Sequence, residues 1–108
     1  MNKYVNLDLR NNIFKNVDLT NADFSHSNLE NAQFIECLLT NAKFNDCVLT
    51  NTVFENVINV TTSNFMMAIY EVNFPPIGLD KAIINTLLVN PNDSPFCPEI
   101  TRSLISNL

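Results

Sequence analysis

A chain of 108 residues has room for one domain, and 46% apolar against 16% charged residues is the composition of a folded core, not of a disordered segment. The net charge of -5 excludes a non-specific nucleic-acid binder, which needs a basic face to displace counterions from phosphates. A single glycine, Gly78, and a single histidine, His26, exclude glycine-rich phosphate loops and zinc sites built on two or three imidazoles.

The first predicted element is a repeat. From position 9 every fifth residue is Leu or Phe in strict alternation: Leu9, Phe14, Leu19, Phe24, Leu29, Phe34, Leu39, Phe44, Leu49 and Phe54. Two places earlier stands a mostly small residue, as at Ala22, Ser27, Ala32, Cys37, Ala42, Cys47 and Thr52, and two places later asparagine recurs. A period of five fits neither a helix nor a plain strand. It fits a chain that turns a right angle every five residues, so that four repeats close one coil. Residues twenty apart then lie over one another at about 4.8 Å. The centres and the small residues point into a narrow interior, because packing at interior density leaves no room for two large side chains per side. The predicted structural core is the ten centres together with Phe65.

After Phe54 the register slips, since Asn59 stands at the next centre, where an unpartnered amide is costly. A shift of one residue restores the pattern at Val60, Phe65 and Tyr70, with Ser63 and Ala68 as small inward residues. A one-residue bulge is expected near Val57 to Asn59. Stretches such as Leu19-Thr20-Asn21-Ala22-Asp23-Phe24 and Leu39-Thr40-Asn41-Ala42-Lys43-Phe44 resemble the pentapeptide-repeat family, from about Leu7 to Tyr70. The resemblance implies an all-β solenoid, a right-handed quadrilateral β-helix. It would occupy residues 1–74 in about 3.5 coils, just above the minimum for stacked repeats.

Residues 75–108 are expected to form a proline-bounded tail with two short amphipathic helices. Proline lacks the ladder donor, so Pro75-Pro76 should end the solenoid, and Gly78 should turn the chain. Asp80 can cap a helix carrying Ala82, Ile83, Ile84, Leu87 and Leu88. A second helix opens at Pro98-Glu99, with Ile100, Leu104, Ile105 and Leu108 at helical spacing. The last coil exposes strand edges and an apolar cross-section, so the tail reads as a C-terminal helical cap.

Cys37 and Cys47 fall at small inward positions on opposite walls, outside disulfide range, and read as apolar fillers. Cys97 has no recognisable activating neighbour, and His26 belongs on an outer corner. Stacking by twenty sets Arg10 over Glu30 and Asp23 over Lys43, exposed pairs worth about 0 to 1 kcal/mol each. A straight prism has no cleft in which two carboxylates could face each other, so no catalytic, metal-binding or cofactor-binding residue is expected. The outward positions Ile13, Ile35, Leu38, Val48 and Val53 are apolar where polar residues belong, and they form a candidate partner surface. The tail helices or a second copy could equally cover it.

The expected function is therefore that of a non-enzymatic interaction module. It would bind a protein partner or itself, with no direct nucleic-acid binding, no membrane contact and no small-molecule substrate. Three cysteines without paired-ligand spacing suit a reducing compartment, and Met1 to Asn6 has no apolar stretch like a signal peptide, which makes the cytoplasm the expected address. The family resemblance implies two alternatives. One is a short DNA mimic that binds a type II topoisomerase, compatible with the acidic balance. The other is a secreted bacterial effector, or a fragment of one, that enters a host cell without a cleavable signal peptide.

Overall fold

A computed structural model describes residues 3–90, and the five-residue period becomes four ladders of parallel bridges. Wall A stacks Lys3, Asp23, Lys43 and Asn64; wall B stacks Asp8, Asn28, Val48, Ile69 and Leu88. Wall C stacks Ile13, Gln33, Val53 and Ile77; wall D stacks Asp18, Leu38 and Ile58. On wall C the ladder is regular enough to form three in-register strands: β1 (Ile13–Lys15), β2 (Gln33–Ile35) and β3 (Val53–Glu55).

The corners explain the recurring asparagine. Asn6, Asn11, Asn16, Asn21, Asn31, Asn41, Asn51 and Asn56 all hold positive φ, between 53° and 66°. The backbone can turn sharply only through the left-handed region, which asparagine tolerates better than other residues with a side chain. The position before each centre has its own duty. Asp8, Asp18, Asp23, Asn28 and Asn64 each accept, on a side-chain oxygen, the backbone N–H two residues on. This is the local Asx turn that makes such residues good corner-formers.

The alternation of Leu and Phe places the repeat phenylalanines on walls A and C. Phe14, Phe34 and Phe54 stack at 5.0 and 5.2 Å between centroids, and Phe24, Phe44 and Phe65 stack at 5.1 Å. The two columns meet edge to face across the interior, as Phe24–Phe34 at 5.4 Å and 89° shows. Both arrangements suit the ring quadrupole. Tyr4, five before Leu9, extends the wall A column by stacking on Phe24 at 4.8 Å, a repeat position the expected series omitted. The predicted core from Leu19 to Phe54 is buried, and so is Phe65; Leu9 and Phe14, at the open end, are half-buried. Polar fillers are satisfied by one recurring bond. Ser27, Thr52 and Ser63 hydroxyls donate to the carbonyls of Tyr4, Leu29 and Leu39, and the Cys37 and Cys47 thiols to those of Phe14 and Phe24.

The extra residue lies slightly later than expected. Ile58 still pairs with Leu38 at an offset of twenty, whereas Asn64 pairs with Lys43 at twenty-one. Between them Asn59 takes the left-handed corner early, at φ 62°, and Val60–Thr62 form a 3-10 turn. That turn aims the Asn59 amide outward, where it donates to Thr40 Oγ1 at 2.9 Å, and leaves Val60 against the core.

The tail departs most from expectation. Pro75-Pro76 does not end the stacking, because the ladder above Val53 needs only Ile77. Its N–H donates to the Thr52 carbonyl and its carbonyl accepts from Phe54 N–H, both at 2.8 Å. Gly78 follows at φ 96°, so close that a Cβ there would lie 1.9 Å from the Phe54 carbonyl oxygen. The expected helix is one turn, α1 (Lys81–Ile84), preceded by an extended Asp80 that makes no side-chain cap bond. Leu87 is buried beyond it, and Leu88 belongs to β5 (Leu88–Asn90), parallel to β4 (Ile69–Glu71) on wall B. The apolar spacing that suggested one long helix is shared between a turn and a strand. Leu79, Ile83 and Ile84 pack against the core. The second expected helix and Cys97 lie outside the described residues.

Candidate interaction surface

Wall C carries the three-stranded sheet, and its outward side chains follow from register. Ile13 is followed up the ladder by Gln33, Val53 and Ile77, while Lys15 is followed by Ile35 and Glu55. Each rung therefore carries one aliphatic residue, Ile13, Val53 and Ile77 in one column and Ile35 in the neighbouring one, at a rung spacing of about 4.8 Å. Ile13 is 60% exposed and Ile77 53%, with Ile35 and Val53 half-buried between them. Ile13, Ile35 and Val53 share wall C, while Leu38 lies on the adjoining wall D between Asp18 and Ile58, and Val48 on the adjoining wall B between Asn28 and Ile69. Ile77 was missed because its offset of 24 from Val53 breaks the period. Beside it, at the corner of walls B and C, an open hollow of about 250 Å³ is lined by Glu30, Asn31, Thr50, Asn51, Glu71 and the exposed Phe74.

The carboxylates of the ladders are engaged locally. Arg10 feels the charge of Glu30 above it, and it makes two 2.8 Å bonds to Asp8 that, with its backbone N–H, hold the Asp8 carboxyl at about 2. Bonds from Thr20 and Ser25, side chain and backbone, lower Asp18 and Asp23 in the same way. His26 stands on an outer corner as predicted, 3.7 Å from Asp46. Burial pushes the Cys47 thiol up to about 12, which keeps it protonated and disfavours a nucleophilic role. Among the described residues no group of three or more His, Cys, Asp or Glu could hold a metal ion, and no helix is long and apolar enough to cross a membrane.

The family described as pentapeptide repeats matches residues 5–41 and 32–58, in eight copies. Among solved structures, a pentapeptide repeat protein from Nostoc PCC 7120 is similar at 16% identity and a TM-score of 0.49, over 81% of this chain and 75% of that one. A pentapeptide repeat protein of the Arabidopsis thaliana thylakoid lumen is similar at 20% identity and a TM-score of 0.41, over 97% of this chain and 92% of the other. No curated protein matches this sequence.

Proposed function

Because this chain belongs to the pentapeptide-repeat family, whose members form right-handed quadrilateral β-helices, we propose that it is a non-enzymatic module that binds another protein through wall C. The rod has about three and a half regular coils. The segment from Leu79 to Leu87 acts as a partly helical cap over the last coil. The observation that carries the reading is the presence of an aliphatic residue on every rung of a hydrogen-bonded wall: Ile13, Ile35, Val53 and Ile77. An exposed apolar row on a rigid face marks a contact surface. One observation supports binding over catalysis: the ladder carboxylates Asp8, Asp18 and Asp23 are engaged in local bonds. The buried free thiols Cys37 and Cys47 support a reducing, cytoplasmic setting.

A duplex mimic needs acidic residues ranged along the outside. Wall A here alternates Lys3, Asp23 and Lys43, and wall C carries an aliphatic residue on each rung, which favours a protein partner instead. The test is affinity purification from the source organism with wild-type chain and with a variant carrying Ile13→Glu, Ile35→Glu and Val53→Glu. The reading predicts a captured protein whose affinity falls at least tenfold in the variant, about 1.4 kcal/mol, while the variant stays folded. Undiminished capture by the folded variant would refute wall C as the partner face. Inhibition of DNA supercoiling by micromolar protein would favour the topoisomerase reading.

A further inference from the structure

The hollow of about 250 Å³ at the corner of walls B and C has a chemically one-sided lining. Two places after each wall B ladder residue the column runs Arg10, Glu30, Thr50, Glu71. Glu30 and Glu71 thus stand one rung either side of Thr50, with backbones about 10 Å apart. Thr50 is only 3% exposed. Its Oγ1 accepts the Glu71 N–H at 3.1 Å and keeps a second lone pair for another donor. Phe74 is the described phenylalanine outside the two ring columns, and it is 50% exposed. Its backbone is pinned beside the hollow: the N–H donates to the Glu71 carbonyl at 2.7 Å, and the carbonyl accepts the Asn51 N–H at 2.9 Å. Among the described residues no basic side chain lines the hollow. Arg10, in the same column, is committed to Asp8 by two 2.8 Å bonds.

We infer that this hollow receives an arginine side chain of the protein that binds wall C. Two carboxylates and a hydroxyl oxygen suit a group that carries positive charge and only donates hydrogen bonds. The exposed Phe74 ring adds a face that attracts a cation, arginine more often than lysine. The spacing separates the two basic residues. Five donors in a planar fork can serve Glu30 and Glu71 together, whereas an ammonium is a compact point charge. Size separates a side chain from a free metabolite, since small-molecule sites occupy roughly 300 to 1,000 Å³. Ile77, 53% exposed on wall C, follows Phe74 by three residues, so a partner seated on the aliphatic rungs passes the mouth of the hollow. The partner's identity as a protein rests on the reading of wall C, but Ile13, Ile35 and Val53 do not line the hollow.

The probe is the capped tripeptide acetyl-Ala-Arg-Ala-amide, titrated into the full chain and followed by NMR at the Thr50 methyl and the Phe74 ring. Both signals should shift and saturate in the millimolar range. Glu30→Gln with Glu71→Gln should weaken binding by about tenfold, the loss of charge-assisted bonds. The lysine counterpart should bind several-fold more weakly, and the citrulline counterpart, of the same shape without the charge, should move neither signal. Ile13→Glu with Ile35→Glu and Val53→Glu should not weaken the tripeptide, so the hollow and wall C fail separately. Unmoved Thr50 and Phe74 signals with the arginine peptide, or equal shifts with the citrulline one, would overturn the inference. So would undiminished capture of the wall C partner by the folded Glu30→Gln, Glu71→Gln chain.

Discussion

Glu36 occupies a left-handed corner at φ 53° that asparagine fills at most turns of the rod. Replacing it with asparagine removes a backbone penalty without touching the core. Glu36→Asn should therefore raise stability by about 1 kcal/mol, read as a shifted denaturation midpoint at unchanged slope. Cys47 makes a second prediction through pH. Its folded pKa, near 12, lies above the ordinary 9.0 because the thiol is buried, so above pH 9 the unfolded chain releases this proton and the folded one keeps it. Stability should fall as pH rises from 9 toward 12, and Cys47→Ser should remove part of that slope. The serine is a fair substitute because Ser27, one rung below on wall B, fills the same inward position and makes the same bond to a carbonyl.

At the scale of the element, Gly78 ties the irregular segment to the regular coil. Gly78→Ala would push a methyl into the Phe54 carbonyl at a φ that alanine avoids. Local detachment of Ile77, at a cost of about 1 to 3 kcal/mol, should appear as faster hydrogen exchange at Phe54 N–H, which bonds to the Ile77 carbonyl. This is also where the sequence was least legible. The ladder through Leu49 could be read because each residue there obeys one rule of spacing, and the same arithmetic placed Ile13, Ile35 and Val53 on one wall. Past Asn59 the spacing changes, and different chemistry gives similar letters. Ile83, Ile84, Leu87 and Leu88 satisfy helical periodicity, yet Leu88 is held by the edge of Ile69–Glu71, which no local pattern announces. Pro75-Pro76 looked like a stop because proline cannot donate, but the bond that continues wall C comes from Ile77. The asparagines were visible as a repeat; their reason, the left-handed corner, became clear only from the backbone.

For the whole molecule, stability rests on two columns of rings that touch across a narrow interior. Phe34 lies at their middle, stacked on Phe14 and Phe54 and edge-on to Phe24 and Phe44. Phe34→Ala should cost about 3 to 5 kcal/mol, and Phe14→Ala, at the half-buried open end, distinctly less, both measurable by denaturant titration. Each wall and each surface assignment depends on the vertical register, which cysteine cross-linking tests most directly. In a chain lacking Cys37, Cys47 and Cys97, oxidation should join Ile13→Cys to Gln33→Cys, and Lys43→Cys to Asn64→Cys, since directly stacked residues fall within disulfide reach. Ile13→Cys with Asn28→Cys, on adjoining walls, should not join. Equal cross-linking of that last pair, or a link from Lys43→Cys to Ser63→Cys in place of Asn64→Cys, would contradict the account.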